Sequence, residues 1–192
     1  PGKRVTPTGQ WTDEPTHEVY TFQDFAFHEK EEVNLIKSGK VWYGEVFNSK
    51  LEYIFPFNLE GIDLSEPLYL KTNLAGRSTT KTIINVLAEG TFLDELDVPS
   101  VVIGSQIYAR SITSNYELFY AEDDLVEVKI SFVKPGSIDA AWLNYIELNY
   151  IRHLDFKGGQ LGFRDMRPVG AGNVARYHIQ TNTTGVSIWE VS

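Results

Sequence analysis

Ala141-Trp142-Leu143-Asn144-Tyr145-Ile146-Glu147-Leu148-Asn149-Tyr150-Ile151-Arg152-His153-Leu154-Asp155-Phe156 is the longest β-favouring run in the sequence. From Tyr145 onward, Ile146, Leu148 and Tyr150 fall on one side, and Tyr145, Glu147, Asn149 and Ile151 on the other. Successive side chains of a strand point to opposite faces, so this alternation puts an apolar row inward and a mixed row outward. Trp142, Ile146 and Tyr150 are also four apart, which is a helical interval. The abundance of Ile and Tyr, and the turn-forming Lys157-Gly158-Gly159-Gln160 that follows, decide for a strand. Gln160-Leu161-Gly162-Phe163-Arg164 is its expected hairpin partner across the glycine turn.

Other stretches read as strands laid beside this one. Leu125 to Val133 alternates, with Val126, Val128, Ile130 and Phe132 on the inward side. Lys40 to Phe47 has Gly44 in its interior, the mark of a bulge or a close backbone approach. Leu51 to Phe57 contains Pro56, which has no amide proton, so this strand is an edge or stops there. Strands are also expected at Leu68 to Leu74, Lys81 to Ala88, Val101 to Ile103, Gln106 to Ala109, Asn115 to Tyr120, Ala175 to Ile179 and Val186 to Val191. Residues 20 to 37 read as a strand followed by a short helical turn. Roughly ten to twelve short strands with frequent turn signals mean a sandwich or barrel, not a parallel α/β sheet. The expected fold is all-β: a jelly-roll-like antiparallel β-sandwich over residues 21–192. A polar, turn-rich arm or linker, partly ordered, precedes it over residues 1–20, with Trp11 pinning it to the sandwich.

Bulk properties exclude several classes. The 192 residues suit one domain, and 42% hydrophobic residues can bury a large core. The net charge of -9 disfavours nucleic acid and anionic membrane surfaces as partners. No apolar run approaches the roughly 20 residues of a membrane span. Cysteine is absent, which removes disulfides, thiolate metal sites and a cysteine nucleophile from this chain. The chain opens Pro1-Gly2 without an initiator Met or signal segment, and reads as a piece of a longer or processed protein.

No catalytic, cofactor or metal site emerges from the residues themselves. His17, His28, His153 and His178 lack ligand spacing and read as surface or hydrogen-bonded histidines. The acidic stretches Asp94-Glu95-Leu96-Asp97 and Glu122-Asp123-Asp124 read as solvated turns. They carry the oxygen ligands that calcium takes, but not the twelve-residue calcium loop with its central glycine, so calcium is left as an unsupported alternative to no cofactor. Trp42, Tyr43, Trp142, Tyr145 and Tyr150 offer aromatic rings for sugar stacking, against the commoner role of packing.

Three stretches together resemble one family: Lys37-Ser38-Gly39-Lys40-Val41-Trp42-Tyr43-Gly44-Glu45-Val46-Phe47, Ala141 to Tyr150, and Gly185-Val186-Ser187-Ile188-Trp189-Glu190-Val191-Ser192. They are similar to the amino-terminal region of the type IX secretion system sortases, gingipain-like cysteine peptidases of Bacteroidetes. That family has a tryptophan-glycine-glutamate motif, a W-L-D-Y-I-E-like strand before a glycine hairpin, and a tryptophan-acidic-valine strand ahead of its peptidase domain. The resemblance spans roughly residues 28 to 192 and rests on the order and spacing of the three. One departure is Asn144, where the resemblance leads to Asp.

The resemblance implies a surface or outer-membrane-associated, extracytoplasmic protein of a Gram-negative bacterium. Its full-length form would remove the sorting domain of secreted cargo and join the cargo to lipopolysaccharide. The family's Cys and His pair lies in a later domain with no counterpart here. This chain is therefore expected to be a non-catalytic β-sandwich that supports or orients a carboxy-terminal peptidase domain. Secreted cargo and other secretion-system proteins are its further implied partners. The positions the motifs single out, as structural or interface residues, are Gly39, Trp42, Tyr43, Gly44, Glu45, Trp142, Asn144, Tyr145, Glu147, Trp189 and Glu190. A rival expectation is a carbohydrate-binding jelly roll, because Leu143 to Leu148 also resembles the last-strand motif of galactose-binding-like modules.

Overall fold

The computed structural model describes residues 13–189. Its strands, in chain order, begin with β1 (His17–Val19), β2 (Thr21–Glu29), β3 (Val46–Phe47), β4 (Glu52–Asn58) and β5 (Leu68–Arg77). They continue with β6 (Thr82–Ala88), β7 (Thr91–Val98), β8 (Arg110–Thr113), β9 (Glu117–Phe119) and β10 (Leu125–Phe132). The last are β11 (Ala140–His153), β12 (Asp155–Phe156), β13 (Ala175–Tyr177) and β14 (Gln180–Thr181). The protein is an all-β antiparallel sandwich. One sheet has the order β2-β11-β5-β8, with β3 extending the β2 side and β9 the β8 side. The other has the order β4-β10-β6-β7. Two short parallel ribbons, β1 with β13 and β12 with β14, stand outside the antiparallel pattern.

β11 is the backbone of the first sheet. Ile146, Leu148 and Tyr150 face inward as their alternation predicts, and Ile146 and Leu148 are fully buried. Across the interior, Val126, Val128 and Ile130 of β10 are equally inaccessible. Each such side chain contributes roughly 1.5–3 kcal/mol relative to exposure. β4 is the edge of its sheet, the place its Pro56 requires, since a proline cannot donate to a ladder on both sides. Gly76 lies under the opposite sheet: a Cβ there would sit 2.4 Å from Val98 Cγ1, so the close approach demands glycine.

Several expectations fail for physical reasons. Gln160 to Arg164 forms no strand, and β11 is flanked instead by β2 and β5, both distant in sequence. Leu161 and Phe163 close the end of the sandwich over Val19, Phe22 and Leu154. Of Lys40 to Phe47 only Val46–Phe47 is a strand; Tyr43 turns away to bridge Val33, and no helical turn lies between them. Val101 to Ile103 and Gln106 to Ala109 form no strands, because Val101 N–H is bonded by Ser78 O at 2.8 Å and a turn follows. Asp94, Glu95 and Asp97 lie within β7 and not in a turn; Leu96 and Val98 face the core while Glu95 and Asp97 face solvent. Residues 186–189 form no strand and their apolar side chains are exposed. Trp11 and Glu190 lie outside the described residues.

Candidate functional site

β2 and β3 lie end to end along one side of β11, and the chain between them must leave and return. At the return, Gly44 N donates to Leu143 O at 2.8 Å and Leu143 N to Glu45 O at 2.9 Å. Gly44 packs directly on the end of β2: a Cβ on it would lie 2.6 Å from Lys30 Cβ. This contact seats Glu45 in the gap, nine-tenths buried. Its Oε1 accepts from Lys30 Nζ at 2.8 Å and lies 3.1 Å from His28 Nε2, while Oε2 has no hydrogen-bond partner. Burial pushes the Glu45 carboxyl up. The hydrogen bond from Lys30, with His28 beside it, outweighs burial and holds the group below the ordinary carboxylate value. The Lys30 ammonium is held above its usual range by the same bond. His28 in turn packs on Phe55 of the other sheet, 4.8 Å between ring centroids. The arrangement is a charge pin that ties the end of β2 to the start of β3.

Opposite the pin, β11 bulges against β5: Leu143 pairs Leu74 and Tyr145 pairs Asn73, leaving Asn144 as the extra residue. The bulge lets Leu143 and Ile146, three positions apart, both face the core, and it turns Trp142 outward. Trp142 is nonetheless buried, under Tyr43, Ala75 and Ala140, with Tyr108 6.1 Å away ring to ring. The motif residues therefore gather in pairs. Tyr43 meets Trp142, and Glu45 sits beside the backbone of Leu143, next to Asn144. Gly39 and Trp42 line one open depression of about 430 Å³, with Asn34, Lys37 and Ser38. Tyr145 stacks on Phe27 at 5.4 Å, and Glu147 accepts from Tyr116 Oη at 3.1 Å and Asn149 Nδ2 at 2.7 Å. Trp189 stands apart and exposed.

The five aromatics expected as one sugar platform are dispersed. Tyr43 and Trp142 are buried, Tyr150 faces the interior, Trp42 is exposed elsewhere, and Tyr145 alone joins the open outer face of the first sheet. Sequence reasoning missed the partners of these residues. His28 and Lys30 were hidden in a charged run, although His28 continues the inward row of Phe22 and Ala26. Asp24, on the same row, receives Arg152 Nη1 at 3.0 Å and Tyr150 Oη at 3.3 Å. Buried Asp165 is gripped by Arg167, whose Nη2 also reaches Thr21 O at 2.6 Å. The histidines go to separate places, His178 with Glu18 and His153 near Asp63. Among the described residues no three His, Asp or Glu side chains converge in a way that would hold a metal, and no helix is long and apolar enough to cross a membrane.

No protein-family model matches the sequence, and no curated protein does. Solved structures do match. The crystal structure of dimeric latent PorU from Porphyromonas gingivalis is similar over 91% of this chain, with a TM-score of 0.76 and 16% identity. This chain spans 17% of the length of that one. The insecticidal delta-endotoxin Cry8Ea1 of Bacillus thuringiensis is similar over 69% of the chain and 25% of its own, at TM-score 0.42 and 15% identity. A family 35 carbohydrate-binding module from Clostridium thermocellum is similar over 67% of the chain and 95% of its own, at TM-score 0.40 and 10% identity. At 16% identity the likeness to PorU is one of fold.

Proposed function

We propose that this chain is a non-catalytic β-sandwich module of a surface-associated type IX secretion sortase-like peptidase, which it supports or orients. The observation that carries the reading is the fold likeness to PorU over nearly the whole of this chain, aligned with a minor part of that one. The roles of the motif residues agree with it. Gly44, Glu45, Trp142 and Asn144 are spent on a close contact, an ion pin, an outer packing cluster and a bulge, which are the means of holding a sheet in shape. Such a module acts by packing against its neighbour and shaping access to the neighbour's site. The test is to express the parent protein with and without residues 1–192 and measure folding and peptide-bond turnover of the remaining domain. Loss of either on removal supports the reading; an unchanged, active peptidase domain refutes it.

A second reading is carbohydrate binding. It is favoured by the outer face of the first sheet, where Phe25, Phe27, Tyr69 and Tyr116 are exposed around Asn149 and Lys71. Rings between amides and charges are the usual furniture of a sugar site. Glycan-array binding that is lost in Phe27→Ala and Tyr69→Ala would favour it over the scaffold.

A further inference from the structure

Two loops carry apolar side chains that nothing in the sandwich covers. In the first, between β2 and β3, Ile36 is 63% exposed, and Val41 and Trp42 are exposed after it. In the second, between β7 and β8, Val102 is 76% and Ile103 49% exposed, with Ile107 and Tyr108 following. Hydrogen bonds hold both loops in shape. Asn34 Nδ2 donates to Gly39 O and Val41 O, each at 3.3 Å, and its Oδ1 accepts from Ser38 N at 3.0 Å. Ser105 N donates to Val102 O at 3.1 Å, which sets Val102 and Ile103 at a turn. The loops meet over Trp142. Leu35 of the first and Ala109 of the second both pack on the cluster of Tyr43, Ala75, Ala140 and Trp142. Exposed apolar groups gathered in this way mark a contact site.

The charge of this end is opposite to that of the chain. The net charge is -9, yet residues 33–44, 75–81 and 98–116 contain no Asp or Glu. Lys37, Lys40 and Arg110 are exposed there, and the Arg77 guanidinium lies over the Tyr108 ring at 4.5 Å. Arg110 stands opposite Gly76 across β8 and β5, next to Ala75 of the cluster. Among the described residues none of these four cations has a carboxylate partner. Glu31 and Glu32 stand at the base of the first loop, beyond the Val33–Tyr43 bridge from its turn, and Asp139, bonded by Thr79 N, is buried. The geometry points to an anionic lipid surface as the occupant of this end. The aliphatic side chains at the loop turns enter the acyl boundary, Trp42 and Tyr108 lie at headgroup level, and the cations meet the phosphates. An acidic protein partner needs a matching shape, whereas Lys37 and Trp42 line an open depression of about 430 Å³. A fluid lipid layer fills such relief without being matched to it. The acidic remainder of the surface is repelled by the same lipid, which fixes the orientation of the molecule. This inference goes beyond the proposed function and does not rest on it.

Co-sedimentation of the 192-residue chain with vesicles tests it. Binding is expected to phosphatidylcholine vesicles that contain about one third phosphatidylglycerol, and not to phosphatidylcholine alone. Raising salt from about 0.1 M to about 0.5 M is expected to release the chain. Lys37→Glu with Arg110→Glu reverses two cations, and Ile36→Ser with Val102→Ser removes one apolar tip from each loop. Each pair is expected to weaken binding by about tenfold or more, at an unchanged thermal midpoint. The same substitutions made singly replace a pair that fails to fold. Lys157→Gln, beyond the other end of β11, is expected to change nothing. A chain that ignores the anionic vesicles overturns the proposal and leaves this end to a protein partner. So does binding that either folded pair leaves unweakened, or that Lys157→Gln weakens as much.

Discussion

Asn144 donates its side-chain amide to the side-chain oxygen Oδ1 of Asn73 at 2.9 Å, across the point where β11 bulges against β5. Asn73 in turn gives its own amide to Thr113 Oγ1 at 2.6 Å, so its carbonyl is left to face Asn144. The three side chains link β11, β5 and β8 in one chain of hydrogen bonds on the outer face.

An aspartate at 144 would break this chain. Two acceptor oxygens would then face each other, and for Asn73 to turn its amide round Thr113 must turn its hydroxyl from acceptor to donor. Asn144→Asp is expected to lower stability at neutral pH by about 1–2 kcal/mol, read from urea unfolding. A variant as stable as the parent would mean that Asn73 reorients freely.

Gly44→Ala is expected to cost about 2 kcal/mol, because its Cβ would lie 2.6 Å from Lys30 Cβ and the main chain of both strands would have to part. Gly162→Ala is the matched control. No atom lies within 4 Å of a Cβ there and its backbone is not left-handed, so the change is expected to be neutral or stabilising by up to about 1 kcal/mol. Thermal unfolding of both variants decides the matter, and equal losses would remove the close contact as the cause.

The sandwich was legible wherever two-residue alternation ran unbroken, as in β10 and the later part of β11. Pro56 marked an edge for a reason that acts within its own strand, and Gly44 marked a close approach although it lies outside any strand, against Lys30. What was not legible is pairing. Gly158 and Gly159 both adopt positive φ and do turn the chain, but the sequence does not encode whether the next segment returns along β11 or crosses the end of the sandwich. Leu161 and Phe163 went to Phe22, some 140 positions away in the chain, and nothing local announces that contact. Charge misled in β7, where acidic residues on the solvent face hid the inward Leu96 and Val98. The motif positions were found by resemblance; their partners His28, Lys30 and Asn73 became visible only when separate strands were brought side by side.

Acid stability should report the Glu45 pin. Its carboxyl is held below the ordinary value of 4.5, because the Lys30 bond and nearby His28 outweigh burial. A depressed folded value means that the unfolded chain binds the proton more readily. The stabilisation is therefore present above 4.5 and is lost as pH falls through the folded value. Glu45→Gln keeps the shape and removes the titration. Its deficit against the parent is expected to be largest above 4.5 and to shrink on acidification. A deficit independent of pH would assign the loss to packing.

Alkaline stability should report Tyr150. Burial, and then the charge of Asp24, push its phenol from 10.0 up to about 12. Here the folded value is raised, so the unfolded chain gives up the proton first. The contribution of the neutral phenol is full below 10.0 and disappears as pH rises towards about 12. Tyr150→Phe deletes the titrating group together with a hydrogen bond to Asp24 that is long, at 3.3 Å. Its cost at neutral pH is expected to be about 0.5–1 kcal/mol, at the weak end for a hydrogen bond. The variant should then lose stability less steeply than the parent between 10.0 and about 12. Phenolate absorbance followed alongside unfolding checks the cause. If Tyr150 ionises with the exposed tyrosines while the chain is still folded, the inward face of β11 is open to water at that position and the assignment fails.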